Sequence, residues 1–171
     1  YKDLAVALVL TDNTKTAIQY AQNYVRIKSS LAGGGAREAA LAPATKVFED
    51  ILAVFQDNFK TVVRIERMED VNALNVDVVA VLDVFAQFPN FHGDDARIDV
   101  TAVFSKTDKM QIDVVKVESV TDSPNFFDIS ARENMLKTAA DDTIKKWKTA
   151  LRGSVKLAEF SQTRTASSTA V

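Results

Sequence analysis

The chain of 171 residues is 47% hydrophobic and 26% charged, which is ordinary for a globular domain and enough to bury a core. Its formal net charge of −2 argues against a nucleic-acid binder, because affinity for phosphate backbones requires clustered Lys and Arg. The absence of Cys excludes disulfides, thiolate zinc sites and cysteine nucleophiles, and no apolar stretch approaches the ~20 residues needed to span a bilayer.

The N-terminal elements are predicted as a strand, a short helix and a connector. Residues 4–10 are continuously apolar, which is typical of a strand covered on both faces. Residues 14–27 carry apolar side chains at helical spacing, and Asn13 or Thr14 is the expected cap. Residues 28–43 contain three consecutive glycines and are predicted to be a flexible connector. A phosphate-binding loop is disfavoured, because no Lys-Ser/Thr pair follows the glycines.

The clearest helix is predicted at residues 43–58. Pro43 suits the first turn of a helix, because the missing N–H has no partner there. Val47, Phe48, Ile51, Leu52 and Phe55 recur at spacings of three and four, which indicates a core-facing amphipathic helix. Residues 59–65 follow as a strand, and a charged link covers residues 66–75.

A unit of three antiparallel strands is predicted at residues 76–85, 97–104 and 110–117. The middle strand alternates apolar and polar residues, which is the signature of a half-buried strand. The polar turn 106–109 makes the last two strands a hairpin. Asp77 and Asp83 interrupt the first strand; they are interpreted as solvent-facing or edge charges, since a straight strand holds them roughly 20 Å apart, too far for shared acid–base work.

The loop 88–95 has the most unusual composition, because it combines Phe88, Phe91, Asp94, Asp95 and the only His of the chain, His92. One hypothesis makes His92 and the two acids a metal site, although their spacing matches no required ligand pattern. A second makes the aromatic residues a protein-contact patch. The plain interpretation is a wide hairpin loop whose Phe side chains fold back on the sheet edge.

The C-terminal part is predicted as a long helix, a break and a short apolar segment. The helix extends from about residue 130 to 152, begins with a capping box, and carries acids early and bases late. Gly153 breaks it, and residues 155–160 should dock on the body or on a neighbour. Residues 161–171 are rich in Ser, Thr and Ala, which predicts a disordered polar tail unless another subunit holds it.

These elements predict an α+β fold. We expect a mixed, largely antiparallel sheet of about five strands with two long amphipathic helices on one face, in the order β-α-α-β-β-β-β-α. Residues 1–160 are expected to form a single domain, and residues 161–171 its polar tail.

This order of elements resembles the small bacterial envelope lipoproteins of the TolB N-terminal, PelC, YajG and ABC-transport auxiliary type. The residues that carry the resemblance are the strand 4–10, the helix 44–55 with the following strand 59–63, the strand 75–82 and the helix ending near Leu151. The resemblance implies a location in the bacterial periplasm, associated with the outer membrane, or export to the cell surface. It also implies non-enzymatic work in an assembly, several such proteins being ring-forming, and membrane contact only through a lipid anchor upstream of Tyr1.

Two functions are favoured at this point over a third, an enzyme, for which the lone His92 lacks a nucleophile partner in the sequence. The first is a non-enzymatic structural or assembly component of an envelope complex, acting through protein–protein surfaces as a homo-oligomer or with other envelope subunits. Its candidate partner-contact residues are Phe88, Phe91, His92 and Phe160. The alternative is a small-ligand carrier whose cleft is rimmed by the loop 88–95. No catalytic, cofactor-binding or metal-ligating residue is predicted.

Overall fold

The computed structural model describes residues 1–30, 35–89, 95–122 and 129–169, and these form a mixed sheet with helices on one of its faces. In chain order the strands are β1 (Ala5–Leu10), β2 (Thr61–Ile65), β3 (Val78–Gln87), β4 (Ala96–Lys106) and β5 (Gln111–Thr121). The helices are α1 (Asp12–Ser30), α2 (Gly35–Leu41), α3 (Pro43–Asn58), α4 (Ile129–Arg152) and α5 (Val155–Thr169), with a 3₁₀ helix at Met68–Ala73.

The five strands lie in the order β2-β1-β3-β4-β5. β1 pairs in parallel with β2 and β3, while β3–β4 and β4–β5 are longer antiparallel pairs. The predicted α+β class with a mixed, largely antiparallel sheet is therefore confirmed. β1 is the central strand that its apolar run predicts, because both of its faces are covered: Val6 and Leu8 face the helices and Ala7 and Val9 face the other side.

The main core lies between the sheet and the helices α1, α3 and α4. Aromatic rings meet at its centre, where Phe55 of α3 lies 5.7 Å from Trp147 of α4 and 6.1 Å from Phe104 of β4, between ring centroids. Trp147 is fully buried, and its indole N–H donates to the carbonyl of Ile51 at 3.4 Å. The two long helices predicted on one face are thus confirmed, and α1, at 19 residues, is longer than its predicted span and packs on the same face.

The connection between α1 and α3 differs from the prediction at two points. The N-cap of α1 is Thr11, whose hydroxyl accepts from the N–H of Thr14 at 3.1 Å, and the caps predicted at Asn13 or Thr14 are wrong. Part of the predicted flexible connector forms α2, which begins at Gly35; the neighbouring Gly33 and Gly34 lie outside the described residues. Leu41 of α2 is buried in the main core, and this contact offsets the poor helix propensity of the preceding glycines.

The predicted disordered tail is wrong for residues 161–169, because these residues continue α5. The helix begins after Gly153, where the hydroxyl of Ser154 accepts from the N–H of Leu157 at 3.2 Å as an N-cap. Leu157 is fully buried, as expected for a segment that docks on the body. Farther along α5, Phe160 lies beneath the ammonium of Lys106, and Arg164 forms an ion pair with Asp77. α5 therefore crosses one end of the strands, and a separate polar tail stays a prediction.

Candidate protein-interaction surface

The predicted contact residue Phe88 lies in the core. It is 1% exposed; its ring stacks on Tyr20 at 5.4 Å between centroids and meets the Tyr24 ring at a tilt, 5.2 Å away. The Tyr24 hydroxyl donates to the carbonyl of Pro89 at 2.8 Å and holds this end of the loop against α1. Phe88 is thus placed as the plain interpretation predicts, folded back on the sheet, and its buried ring offers no surface to a partner.

The other predicted loop residues, Phe91, His92 and Asp94, lie outside the described residues, so their contact and metal hypotheses stay predictions. Phe160 is half-buried on α5, with the Lys106 ammonium 5.9 Å from its ring centroid, and its contact role also stays a prediction. In the parts of the chain that the structure describes, no group of three or more His, Cys, Asp or Glu is arranged to hold a metal ion. None of the described helices is long and apolar enough to cross a membrane.

Asp77 and Asp83 bind neighbouring backbone and side chains instead of facing solvent as simple surface charges. Asp77 accepts from the N–H of Ala5 at 2.9 Å and pairs with Arg164, which ties the start of β1 to α5. Asp83 accepts from the hydroxyl of Thr11 at 2.5 Å and from the side-chain amide of Asn13. Both carboxylates therefore position chain segments, and they serve separate parts of the fold.

The face of the sheet opposite the helices is covered on one half only. Over β1 and β2, the segment around the 3₁₀ helix packs Val71 and Leu74 on Ala7, Val9 and Ile65. The same cluster extends to Val79 and the partly buried Val81 of β3, whereas over β4, β5 and the far end of β3 none of the described elements covers this face. We call this uncovered part the open face; its side chains include the neighbours Val103 and Val114 and, farther along, Phe85 and Val120. Phe85, Val114 and Val120 are 41%, 44% and 53% exposed, so three large apolar side chains stand in solvent on one surface.

β5 is the outer strand of the sheet on this side, and its outer backbone edge is unpaired by any described strand. The Lys146 ammonium of α4 donates to the carbonyl of Glu118 at 3.0 Å, so this carbonyl points away from β4. Backbone groups alternate along a strand, and the polar backbone groups of Val114, Lys116 and Val120 therefore point outward as well. The same four residues carry their side chains on the open face, opposite Val103, Thr101, Asp99 and Arg97 of β4.

A groove follows this edge between β5 and α4. It consists of two adjoining hollows of about 550 and 360 Å³ that share Lys116 and Ala150. The first is lined by β5 residues up to Glu118 and by Asp142, Lys145, Lys146 and Thr149 of α4. The second extends past the end of α4 to Gly153–Lys156. A strand edge flanked by a helix is the arrangement that receives an extended peptide in strand addition.

The charges along the edge form two close ion pairs. Lys116 and Glu118 approach to 2.7 Å on β5, and Lys146 and Asp142 to 2.7 Å on α4. The hydrogen bond to Lys116 lowers the pKa of Glu118, and the same pair raises the pKa of Lys116. The hydrogen bond from Lys146 likewise lowers the pKa of Asp142. At neutral pH the edge thus presents alternating full charges between two exposed valines.

Sequence reasoning did not find this surface. The third strand of the unit was predicted to end at residue 117, whereas β5 continues to Thr121 and includes Glu118 and Val120. The alternation of Val114, Lys116, Glu118 and Val120 is visible in the sequence, but it identifies a surface only when β5 is known to be the edge strand.

Comparisons with known proteins give distant similarities of shape. No family model matches the sequence, and no curated protein matches it. The chain is similar to the PelC dodecamer structure from Paraburkholderia phytofirmans, with 9% identity, a TM-score of 0.45, and coverage of 85% of this chain and 87% of that one. It is also similar to a DUF330 protein from Xanthomonas campestris (16% identity, TM-score 0.44, covering 88% and 85% of the two chains).

A minor lipoprotein from Acinetobacter baumannii is a third similar structure, with 10% identity, a TM-score of 0.42, and coverage of 88% of this chain and 94% of that one. PelC is one of the proteins that the sequence resemblance names, and the similarity to TolB N-terminal and YajG proteins stays a prediction. Because all three TM-scores are below 0.5, these similarities assign neither a family nor a function.

Proposed function

We propose that the protein is a non-enzymatic assembly component of a bacterial envelope complex and that it acts through protein–protein contacts at the open face and the β5 edge. The observation that carries the proposal is the combination of an unpaired edge strand with exposed apolar side chains beside it. Val114 and Val120 lie on the edge strand itself, and Phe85 lies two strands inward on the same face.

Edge strands that must stay unpaired are usually short, covered or interrupted by charges and bulges. β5 has eleven residues, and the irregularity in its pairing with β4 lies near its first residues, opposite Phe104 and Ser105. From Val114 to Val120 the strand is regular. Lys116 lies at the centre of the edge, where a lysine normally discourages pairing with another strand. Its charge is neutralised by Glu118 beside it. An edge of this length and regularity favours use as a contact surface.

The envelope location is proposed from the resemblance carried by the order of strands and helices, and it comprises the periplasm, association with the outer membrane, or export to the cell surface. The alternative of a small-ligand carrier is not supported by the described residues of its rim. Phe88 is buried against the rings of Tyr20 and Tyr24, so the core is packed at this described end of the expected rim.

Site-specific photocrosslinking in the organism that produces the protein tests this proposal. Benzoylphenylalanine is placed at Val114 or Phe85, and at Asp57 as a matched control on the exposed side of α3. We expect protein adducts from the two open-face positions and none above background from Asp57. The absence of adducts at Val114 and Phe85 in folded protein, or equal adducts at all three positions, would refute the proposed function.

A further inference from the structure

The open-face side chains of β5 form a pattern that is complementary to its own reverse, because reversing the strand keeps the apolar ends and exchanges the two charges. They are apolar, positive, negative and apolar in turn: Val114, Lys116, Glu118 and Val120. In an antiparallel pairing centred on Val117, Val114 of one copy would lie opposite Val120 of the other, and Lys116 opposite Glu118. Opposite charges and apolar residues facing each other directly across strands stabilise a sheet. The surface is thus complementary to itself.

We propose that β5 pairs antiparallel with β5 of a second copy, centred on Val117, to form a two-fold symmetric dimer with one continuous ten-stranded sheet. This inference rests on the proposed function and names its partner as a second copy of the chain. A two-fold interface requires one surface to face itself, and the pattern on β5 meets that requirement. The four cross-strand contacts comprise two Lys116–Glu118 ion pairs and two Val114–Val120 apolar pairs.

The backbone geometry fits the same register. The residues whose N–H and C=O groups point outward are the even-numbered ones, as the Lys146–Glu118 contact establishes. Pairing about Val117 places even-numbered residues of one copy opposite even-numbered residues of the other. The outward N–H and C=O groups of the two strands therefore face each other, and about eight main-chain hydrogen bonds can form. The Lys146 ammonium must leave the Glu118 carbonyl; it keeps its ion pair with Asp142 at 2.7 Å.

Pairing of the β5 edges would also bring the α4 helices of the two copies together. α4 contacts both β4 and β5. Because α4 packs on β5 as well as on β4, the two-fold axis brings the α4 helices of the two copies side by side, and packed helices need about 8–10 Å between their axes. The groove beside α4 is then the space into which the second α4 fits. Asp142 and Lys146 already form an ion pair within each copy, which limits charge repulsion between the helices.

Charge exchange on β5 tests the register directly. In a K116E homodimer, two negative side chains face each other at both former ion pairs, and in an E118K homodimer two positive ones do. We expect each single variant to raise the dissociation constant of the homodimer at least about tenfold. The double variant K116E/E118K restores opposite charges and should recover the dimer. An equimolar mixture of K116E and E118K also pairs opposite charges at both positions, so two weakly dimerising variants should form a heterodimer.

The readout is the mass measured by sedimentation equilibrium, with twice the 18.8 kDa chain mass expected for the wild type. K60E is the matched control, because Lys60 is exposed, lies away from β5, and gives the same charge change. Lys116 and Glu118 side chains are 56% and 49% exposed, so both variants should fold, which circular dichroism checks.

A wild-type monomer at the highest attainable concentration would overturn the dimer, as would a dimer insensitive to both single exchanges, or failure of the mixture to associate. These outcomes are distinct from failure of the proposed function. Crosslinks from Val114 exclusively to other proteins would overturn the dimer and leave the assembly role standing, whereas the absence of any crosslink would remove the assembly role.

Discussion

Replacing Thr14 by Val tests how the fold holds α1 against the sheet. Thr14 is 2% exposed, and its hydroxyl donates to the carbonyl of Leu82 at 2.9 Å and accepts from the N–H of Val84 at 2.8 Å. These contacts lie just beyond the end of β1, where β3 has lost its strand partner. The side chain thus replaces the backbone of a missing strand and satisfies a buried N–H.

Thr14→Val keeps the shape of the side chain and removes both hydrogen bonds. The Leu82 carbonyl keeps its bond from the N–H of Thr11 at 3.0 Å, whereas the N–H of Val84 loses its side-chain acceptor. An unsatisfied buried donor costs about 1–3 kcal/mol, so we expect the free energy of unfolding to fall by about 2 kcal/mol.

Urea denaturation followed by circular dichroism measures this change. Thr16→Val is the matched control, because Thr16 lies on the exposed side of the same helix and should change stability by less than about 0.5 kcal/mol. Equal effects of the two substitutions, or a loss below about 0.5 kcal/mol for Thr14→Val, would refute the reasoning.

Two further predictions concern α5 and the pH dependence of the dimer. Leu157→Ala should lower the free energy of unfolding by about 2–4 kcal/mol in urea denaturation, through lost burial and a cavity, whereas Val155→Ala, at a position 66% exposed, should have little effect; equal losses would contradict the docking of α5. Within one chain, the hydrogen bond from Lys116 already lowers the pKa of Glu118 from its ordinary value of 4.5. In the dimer, the Lys116 ammonium of the second copy would lower this pKa further, so the ion pair between copies stabilises the dimer while Glu118 is ionised and is lost as the pH falls through the lowered pKa. Sedimentation should show an unchanged dimer between about pH 5 and 8 and dissociation at lower pH; dissociation between pH 8 and 5 would contradict the role of this pair. The other charged groups near Glu118 are Arg97 and Asp99 on β4 and Lys146 on α4.

Local patterns in the sequence were sufficient for the elements that local chemistry determines. α3 begins at Pro43 and ends at Asn58 as predicted, because a first-turn proline and a regular apolar stripe specify it. The hairpin turn after β4 is also confirmed, with the N–H of Lys109 donating to the carbonyl of Lys106 at 3.0 Å.

Elements that depend on distant contacts were not predictable in the same way. Residues 161–169 have a composition typical of disorder, yet they continue a helix that is capped by Ser154, anchored by Leu157 and paired through Arg164 with Asp77. The ion pair joins residues 87 positions apart, which no local pattern reveals. Similarly, α2 forms because Leu41 reaches the main core.

The interaction surface depends on strand order, which the sequence does not state. β5 pairs only with β4 among the described strands and is therefore an outer strand, whereas β1, predicted as a central strand, inserts between β2 and β3. The prediction concentrated on the loop 88–95 for its aromatic residues, and Phe88 proved to be a core residue. The alternating residues of β5 indicate an interaction surface only because the structure places β5 at the edge of the sheet.

Hydrogen exchange along β5, measured by NMR at low and high protein concentration, is the sharpest test of whether two copies pair through this strand. If β5 pairs with a second copy, the outward amides of Val114, Lys116, Glu118 and Val120 become protected as concentration rises, while the amides of Val115 and Val117, which point towards β4, are already protected and change little. Exchange at the four outward amides that stays fast and independent of concentration would contradict this pairing.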